Sequence, residues 1–200
     1  MRAPRLPSSR LRTRIKRAAA SLTPRGRDPG TSLATETGLS VLLFADIVSS
    51  TSRAAEIGNL RWRHLLDEHR LRARKVLRRF GGGEVDLVGD GLFATFGSAS
   101  AAITCACTLR DTAADLRLTL RIGIHAGESA VLDGKPCGVP VHVAARVAAA
   151  ADPGAVLATG TVRELLIGCP IGFADRGERS LQGVPGRWRL YEVEGQEQAA

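Results

Sequence analysis

Two carboxylates stand out by what flanks them. Asp46 ends the apolar run "VLLFA" and is followed at once by "IVSST". Asp90 sits between two glycines in "GDG". A charge at the end of a buried strand is costly unless something pairs with it. Glycines on both sides of an acid let the backbone approach a ligand closely. Two hard oxygen donors of this kind suit Mg²⁺, which keeps phosphate and water oxygens in its shell. Val48, Ser49, Ser50 and Thr51 form a loop before a predicted helix, so their free N–H groups are placed to hold a phosphate. Each feature also has an ordinary explanation. An Asp after a strand often caps a helix, and "GDG" is a common hairpin turn. No Walker-type lysine follows the three glycines at 81–83, which argues against a P-loop.

The elements that must position these residues alternate between strand and helix. "LSVLLFADI" reads as a buried strand. A long helix follows, with Trp62, Leu65, Leu66, His69, Ala73, Val76, Leu77 and Phe80 on one apolar face. Lys75, Arg78 and Arg79 complement its C-terminal dipole, and Gly81 to Gly83 end it. "EVDLVGDGLFATFG" is predicted to be two short strands around the Asp90 turn. A second helix covers "SASAAITCACTLRDTAADL". In "RLTLRIGIHAGE", Leu118, Leu120, Ile122 and Ile124 face one side of a strand. A third helix covers "VPVHVAARVAAAA" and stops at Asp152-Pro153-Gly154. A short strand, a helix from Thr161 and a terminal strand around "RWRLYEVE" complete the order. This pattern predicts an α/β sandwich with a mixed or antiparallel sheet.

Composition narrows the function. Residues 1–30 hold nine Lys and Arg against one acid, while the remaining 19 basic and 19 acidic residues cancel. The high pI therefore belongs to a basic, disordered tail, and composition shows no basic face on the neutral globular part. The piece "SSRLRTRIKRAAASL" could lie as a short helix on an anionic membrane or nucleic acid. Aromatic residues make up only 4% of the chain, too few for evident base-stacking platforms, so no specific nucleic-acid partner is predicted. There is no long apolar span and no secretory h-region, so a cytoplasmic location is expected. Cys105, Cys107, Cys137 and Cys169 form no CxxC pair and read as reduced thiols.

"FADIVSST", the "GDG" hairpin with "LFATF", "GIHAGE", "VHVAARVA" and "DRGERSLQGVPGRWRLYEV" occur in an order that resembles class III nucleotidyl cyclases. The resemblance runs from about Leu39 to Glu194. It implies a basic tail at 1–38, a catalytic domain at 39–194 and a short tail at 195–200. It also implies a ferredoxin-like βαββαβ core extended by C-terminal strands and a helix, working as a homodimer with active sites at the interface. The implied enzyme is a phosphorus–oxygen lyase that turns ATP or GTP into a cyclic nucleotide and pyrophosphate for signalling. By position, Asp46 and Asp90 resemble the two metal aspartates, joined by the Ile47 carbonyl, and hold two Mg²⁺ or Mn²⁺ ions. Arg146 resembles the arginine that stabilises the phosphate undergoing substitution, a task suited to a permanently charged fork of donors.

Three positions depart from the family pattern. His142 stands where an Asn often orients the ribose, four residues before Arg146 and so on the same helix face. It either donates a hydrogen bond in the Asn's place or packs at a dimer interface. Asp86 stands where adenylate cyclases usually carry a Lys, and Lys135 where they commonly carry Asp or Thr. Guanine presents donors at N1 and its amino group and an acceptor at O6, which matches this exchanged pair better than adenine does. The exchange equally fits a structural ion pair, and Asp133 is a rival for the base-facing place. The departures also leave open a catalytically degenerate, nucleotide-binding or regulatory dimer.

Overall fold

The computed structural model describes residues 37–86, 89–132 and 134–196. Residues 1–36 of the expected basic tail, its membrane contact and Asp133 lie outside these residues, whereas residues 37 and 38 of that tail belong to the first strand and residues 195 and 196 of the expected C-terminal tail to the last. The chain runs β1 (Thr37–Ile47), α1 (Ser50–Ile57), α2 (Asn59–Arg79), β2 (Gly83–Asp86), β3 (Leu92–Phe96), α3 (Ala99–Asp115), β4 (Leu120–Leu132), β5 (Lys135–Cys137), α4 (Val139–Ala150), β6 (Val156–Thr159), α5 (Gly160–Leu165), β7 (Ile171–Arg179) and β8 (Trp188–Gln196). One mixed sheet has the order β2-β3-β1-β4-β6-β8-β7, with β5 paired on β4. The first four strands form the antiparallel order of a βαββαβ unit. β6 joins β4 in parallel, and β8 and β7 extend the sheet. The mixed sheet is as the residue pattern predicts, and the ferredoxin-like core with its C-terminal extension is as the resemblance implies.

Alternation along the strands divides the core. Val41, Leu43, Ala45 and Ile47 of β1 share one cluster with Leu92, Ala94 and Phe96 of β3 and Leu120, Ile122 and Ile124 of β4. α2 and α3 cover this face, through residues such as Ala73, Val76, Leu77, Ile103 and Leu109. Leu42, Phe44 and Phe93 face the other way and meet Val141, Ala144, Ala145 and Ala148 of α4. Phe44 and Phe93 are opposed in the ladder and stack at 4.3 Å between ring centroids. That contact fixes β1 against β3 two residues before Asp46.

The reading differs from the fold in three places. The predicted single helix after the Ser/Thr loop is two helices, broken at Gly58 with φ 84°. β5 was not expected, and neither was β7, a strand with two register shifts against β8. All four cysteines are free thiols, and burial pushes the Cys105 thiol up to about 12. Among the described residues, no helix is long and apolar enough to cross a membrane.

Candidate active site

The β1–β3 ladder ends with Ala45 opposite Leu92. One step beyond lie Asp46 on one chain and Gly91 on the other, followed by Asp90. Opposed ladder residues stand about 5 Å apart and diagonal neighbours about 7–8 Å. The register therefore delivers Asp46 and Asp90 to the same end of the sheet. Both are largely buried, at 9% exposure each. Ile47 is the last β1 residue paired with β4, so its carbonyl lies at the same place.

Alternation turns the Asp46 side chain towards the α4 side, with Leu42 and Phe44. There Arg121, opposite it on β4, donates from Nη2 to Asp46 Oδ2 at 3.3 Å. Arg121 was not singled out in the sequence. The signal was present, because the strand face opposite Leu120, Ile122 and Ile124 begins with this arginine. Its buried Nε has no hydrogen-bond partner among the described residues.

The Asp90 turn is held from the other side of the sheet. Arg70 of α2 donates from Nη2 to the Gly89 carbonyl. A small cavity lies beneath the turn, lined by Leu66, His69, Arg70, Gly89, Asp90 and Leu92. His69 is buried there, and burial together with the adjacent Arg70 charge lowers its pKa below the usual histidine value. Its neutral ring is the form that a buried site tolerates.

The Ser/Thr loop leaves β1 through Ser49, which takes left-handed backbone angles (φ 54°, ψ 31°). α1 begins at Ser50 without a side-chain cap from Ser49 and without an acid in its first turn. Val48 remains tied to the sheet by its N–H to the Thr119 carbonyl, 2.8 Å. Thr51 is exposed and Ser50 is buried. The start of α1 is thus presented beside the Asp46 strand end with its dipole unopposed by local acids.

α4 lies across β4 in a direction fixed by two glycines. A Cβ on Gly127 would meet Pro140 near the start of α4, and one on Gly123 would meet Ala148 near its end. α4 therefore runs antiparallel to β4, with its C-terminal turn towards the Arg121–Asp46 end. Val141, Val143, Ala144, Ala145, Val147 and Ala148 are buried, whereas His142 and Arg146 are half-buried on the outer side. Asp86 is half-buried at the end of β2, past a register shift, and Lys135 is exposed on β5 opposite Leu132. No hydrogen bond or ion pair joins Asp86 to Lys135 among the described residues.

The donor set fits divalent ions. Asp46, Asp90 and the Ile47 carbonyl are oxygen donors at one end of the sheet, and no group of three or more His, Cys, Asp or Glu that could hold a metal occurs among the described residues. Such a set leaves coordination places for phosphate oxygens and water, as Mg²⁺ prefers.

Comparison with known proteins bears on the family and the fold. Residues 34–195 match the family described as adenylate and guanylate cyclase catalytic domain. A putative adenylate cyclase 3 from Rhizobium meliloti is 36% identical over 105 residues, which is 48% of this chain. The match covers 18% of that protein, so the chain spans only a small part of this relative. The crystal structure of the adenylyl cyclase CyaB from P. aeruginosa superposes with a TM-score of 0.75 at 22% identity, covering 83% of this chain and 98% of that one. An adenylate/guanylate cyclase/hydrolase from Silicibacter pomeroyi superposes at 0.66 with 26% identity, covering 79% and 97%. The family match spans most of the chain, and the chain belongs to the adenylate and guanylate cyclase catalytic domain family.

Proposed function

We propose that this chain is the catalytic unit of a cytoplasmic signalling enzyme, a homodimeric nucleotidyl cyclase that converts ATP or GTP into a cyclic nucleotide and pyrophosphate. The observation that carries this reading is the ladder register that brings Asp46 and Asp90 to one sheet end, beside Arg121. Asp46, Asp90 and the Ile47 carbonyl would hold two divalent ions, Mg²⁺ or Mn²⁺, which would supply charge neutralisation for the triphosphate and the leaving pyrophosphate and a lowered pKa for the ribose hydroxyl.

The protein's own groups bind and orient the substrate. The N–H groups of Ser49 to Thr51 face the phosphate chain at the start of α1, whereas that of Val48, expected with them, is taken by the Thr119 carbonyl. Arg121 holds the Asp46 carboxylate in place and adds a fixed positive charge next to the phosphates. Arg146 stabilises charge on the phosphorus undergoing attack, and His142 orients the ribose one turn earlier on the same helix face. Both side chains sit on the side of α4 away from its own sheet, which supports their use by the partner protomer's site.

Asp86 and Lys135 select the base. A carboxylate for guanine N1–H and the amino group, with an ammonium for O6, matches GTP. Two mispaired polar contacts at about 1–3 kcal/mol each predict a preference for GTP of about thirtyfold or more. The test is purified protein with Mn²⁺ and either ATP or GTP, quantifying each cyclic product. Asp46→Ala should abolish product, and the exchange D86K with K135D should move preference towards ATP. Equal product from wild type and Asp46→Ala defeats the metal assignment, and a strong ATP preference of the wild type defeats the guanine reading. A second reading rests on the departures at Asp86, Lys135 and His142: a silent nucleotide-binding dimer. It predicts nucleotide binding without product.

A further inference from the structure

The neutral charge total of the globular part conceals a strong separation. α2 alone holds eight Arg and Lys against two acids in residues 59–79, while the rest of the chain beyond residue 30 holds eleven basic against seventeen acidic residues. Composition could not show this, because the two halves cancel. Folding gathers the positive charge on one helix whose inner side, through Ala73, Val76 and Leu77, is committed to the core.

The acids on α2 are already matched. Asp67 pairs with Arg70 at 3.4 Å and Glu68 with Arg72 at 2.7 Å. Arg74 pairs with Glu84 of β2 at 2.9 Å. Arg61, Arg63, Lys75, Arg78 and Arg79 are exposed and have no ion-pair partner among the described residues. Steps of four and three residues along the outermost line of the helix lead from Leu60 to Leu71 and on to Arg78. Leu60 is 71% exposed and Leu71 48%, two large apolar side chains set among cations. The helix is 21 residues long, roughly 30 Å at 1.5 Å per residue.

We propose that the outer face of α2 docks this domain onto an anionic lipid membrane. Arginine and lysine heads meet lipid phosphates, and Leu60 and Leu71 enter the headgroup region. Between Leu60 and Leu71 the line passes His64 and Asp67 and carries no Phe, Tyr or Trp, which favours lipid over nucleic acid, where bases stack on large aromatic rings. The nine basic residues of the N-terminal 30 carry the same sign. By charge they are repelled from α2 and are drawn to the same anionic surface. α2 lies on the opposite face of the sheet from α4, so docking leaves His142 and Arg146 accessible. The proposal does not depend on the cyclase reading, and its test does not use the reaction.

The experiment is co-sedimentation of the full chain with vesicles of phosphatidylcholine, alone or mixed with phosphatidylglycerol. Wild type should bind the mixed vesicles and not the neutral ones, with affinity falling as salt rises. The double variant Lys75→Glu, Arg78→Glu should bind at least about tenfold more weakly. The double variant Leu60→Ser, Leu71→Ser should weaken vesicle binding severalfold while leaving the salt dependence unchanged. If the glutamates lower the melting temperature, Lys75→Gln, Arg78→Gln gives the same comparison without added repulsion. Wild-type binding by the charge variants assigns any attraction to another part of the chain and overturns the proposal. So does binding to a DNA duplex or to polyglutamate that matches vesicle binding and ignores the leucine changes.

Discussion

Gly123 offers the sharpest test of how the site is held. It lies in β4 between Ile122 and Ile124, opposite Phe44, and directly beneath α4. A methyl group here would stand 2.0 Å from the Ala148 nitrogen, 2.6 Å from its Cα and 2.7 Å from the Val147 carbonyl carbon. These neighbours are backbone atoms, so no side chain can rotate aside. To reach ordinary contact, α4 must rise by ~1.5 Å, which loosens the packing of Ala144, Ala145 and Ala148 on Leu42, Phe44 and Phe93. Overpacking a core costs about 1–3 kcal/mol, and a clash with backbone belongs at or beyond the upper end. Gly123→Ala should therefore destabilise by about 3 kcal/mol or more. For a chain of this size that lowers Tm by roughly 6–12 °C. Thermal melting followed by circular dichroism reads the effect. Gly97→Ala is the control, because a Cβ there meets nothing within 4 Å, and it should stay within about 0.5 kcal/mol. If Gly123→Ala melts together with Gly97→Ala, the close seat of α4 on β4 is wrong, and with it the placement of His142 and Arg146.

Other outcomes follow from single contacts. Arg70→Ala removes the donor to the Gly89 carbonyl and should raise the Mn²⁺ concentration needed for half-maximal activity severalfold, with Arg70→Lys recovering part of it; an unchanged metal requirement refutes the clamp. His125 is buried, with Nδ1 2.9 Å from Thr159 Oγ1 and its ring edge-on to Trp188. Burial lowers its pKa to about 4, so the unfolded chain binds more protons between pH 6.5 and 4. Stability contributed by the neutral ring is present above about pH 6.5 and is lost as pH falls towards 4, by up to about 3 kcal/mol. His125→Gln should lose less Tm than wild type between pH 7.5 and 5, and equal losses refute this source of acid sensitivity.

Much of the fold was legible because period decided it. The alternation of Leu118, Leu120, Ile122 and Ile124, and the three-and-four spacing from Trp62 to Phe80, each allowed one arrangement against a core. β7 escaped because "IGFADRGER" is only half-buried and is interrupted by Gly172 and Gly177, so it lacks a period to read. β5 is three residues with a proline in the middle. The break at Gly58 was hidden because apolar spacing begins only after it. At the site, the two acids could be named from flanking residues, but their placement at one end of the sheet is a matter of register, which no local pattern states. Arg121 illustrates the limit further. Its partner Asp46 is 75 residues away, and only the pairing of β1 with β4 joins them.

The same placement makes a demanding prediction about assembly. Asp46 points from the sheet towards α4, whereas Arg146 lies on the side of α4 away from that sheet. Asp46→Ala and Arg146→Ala should each be inactive to within about a hundredth of wild type or less. In a two-fold dimer, each site would take both aspartates from one protomer and Arg146 from the other. A heterodimer of the two variants then contains one site with both lesions and one with neither. Equal mixing makes about half the dimers heterodimers, so activity should return to about a quarter of wild type. Mixing after mild dissociation, with cyclic product quantified, measures this. If the mixture stays as inactive as its components, each protomer supplies its own arginine, and the shared site is wrong even if the metal aspartates are right.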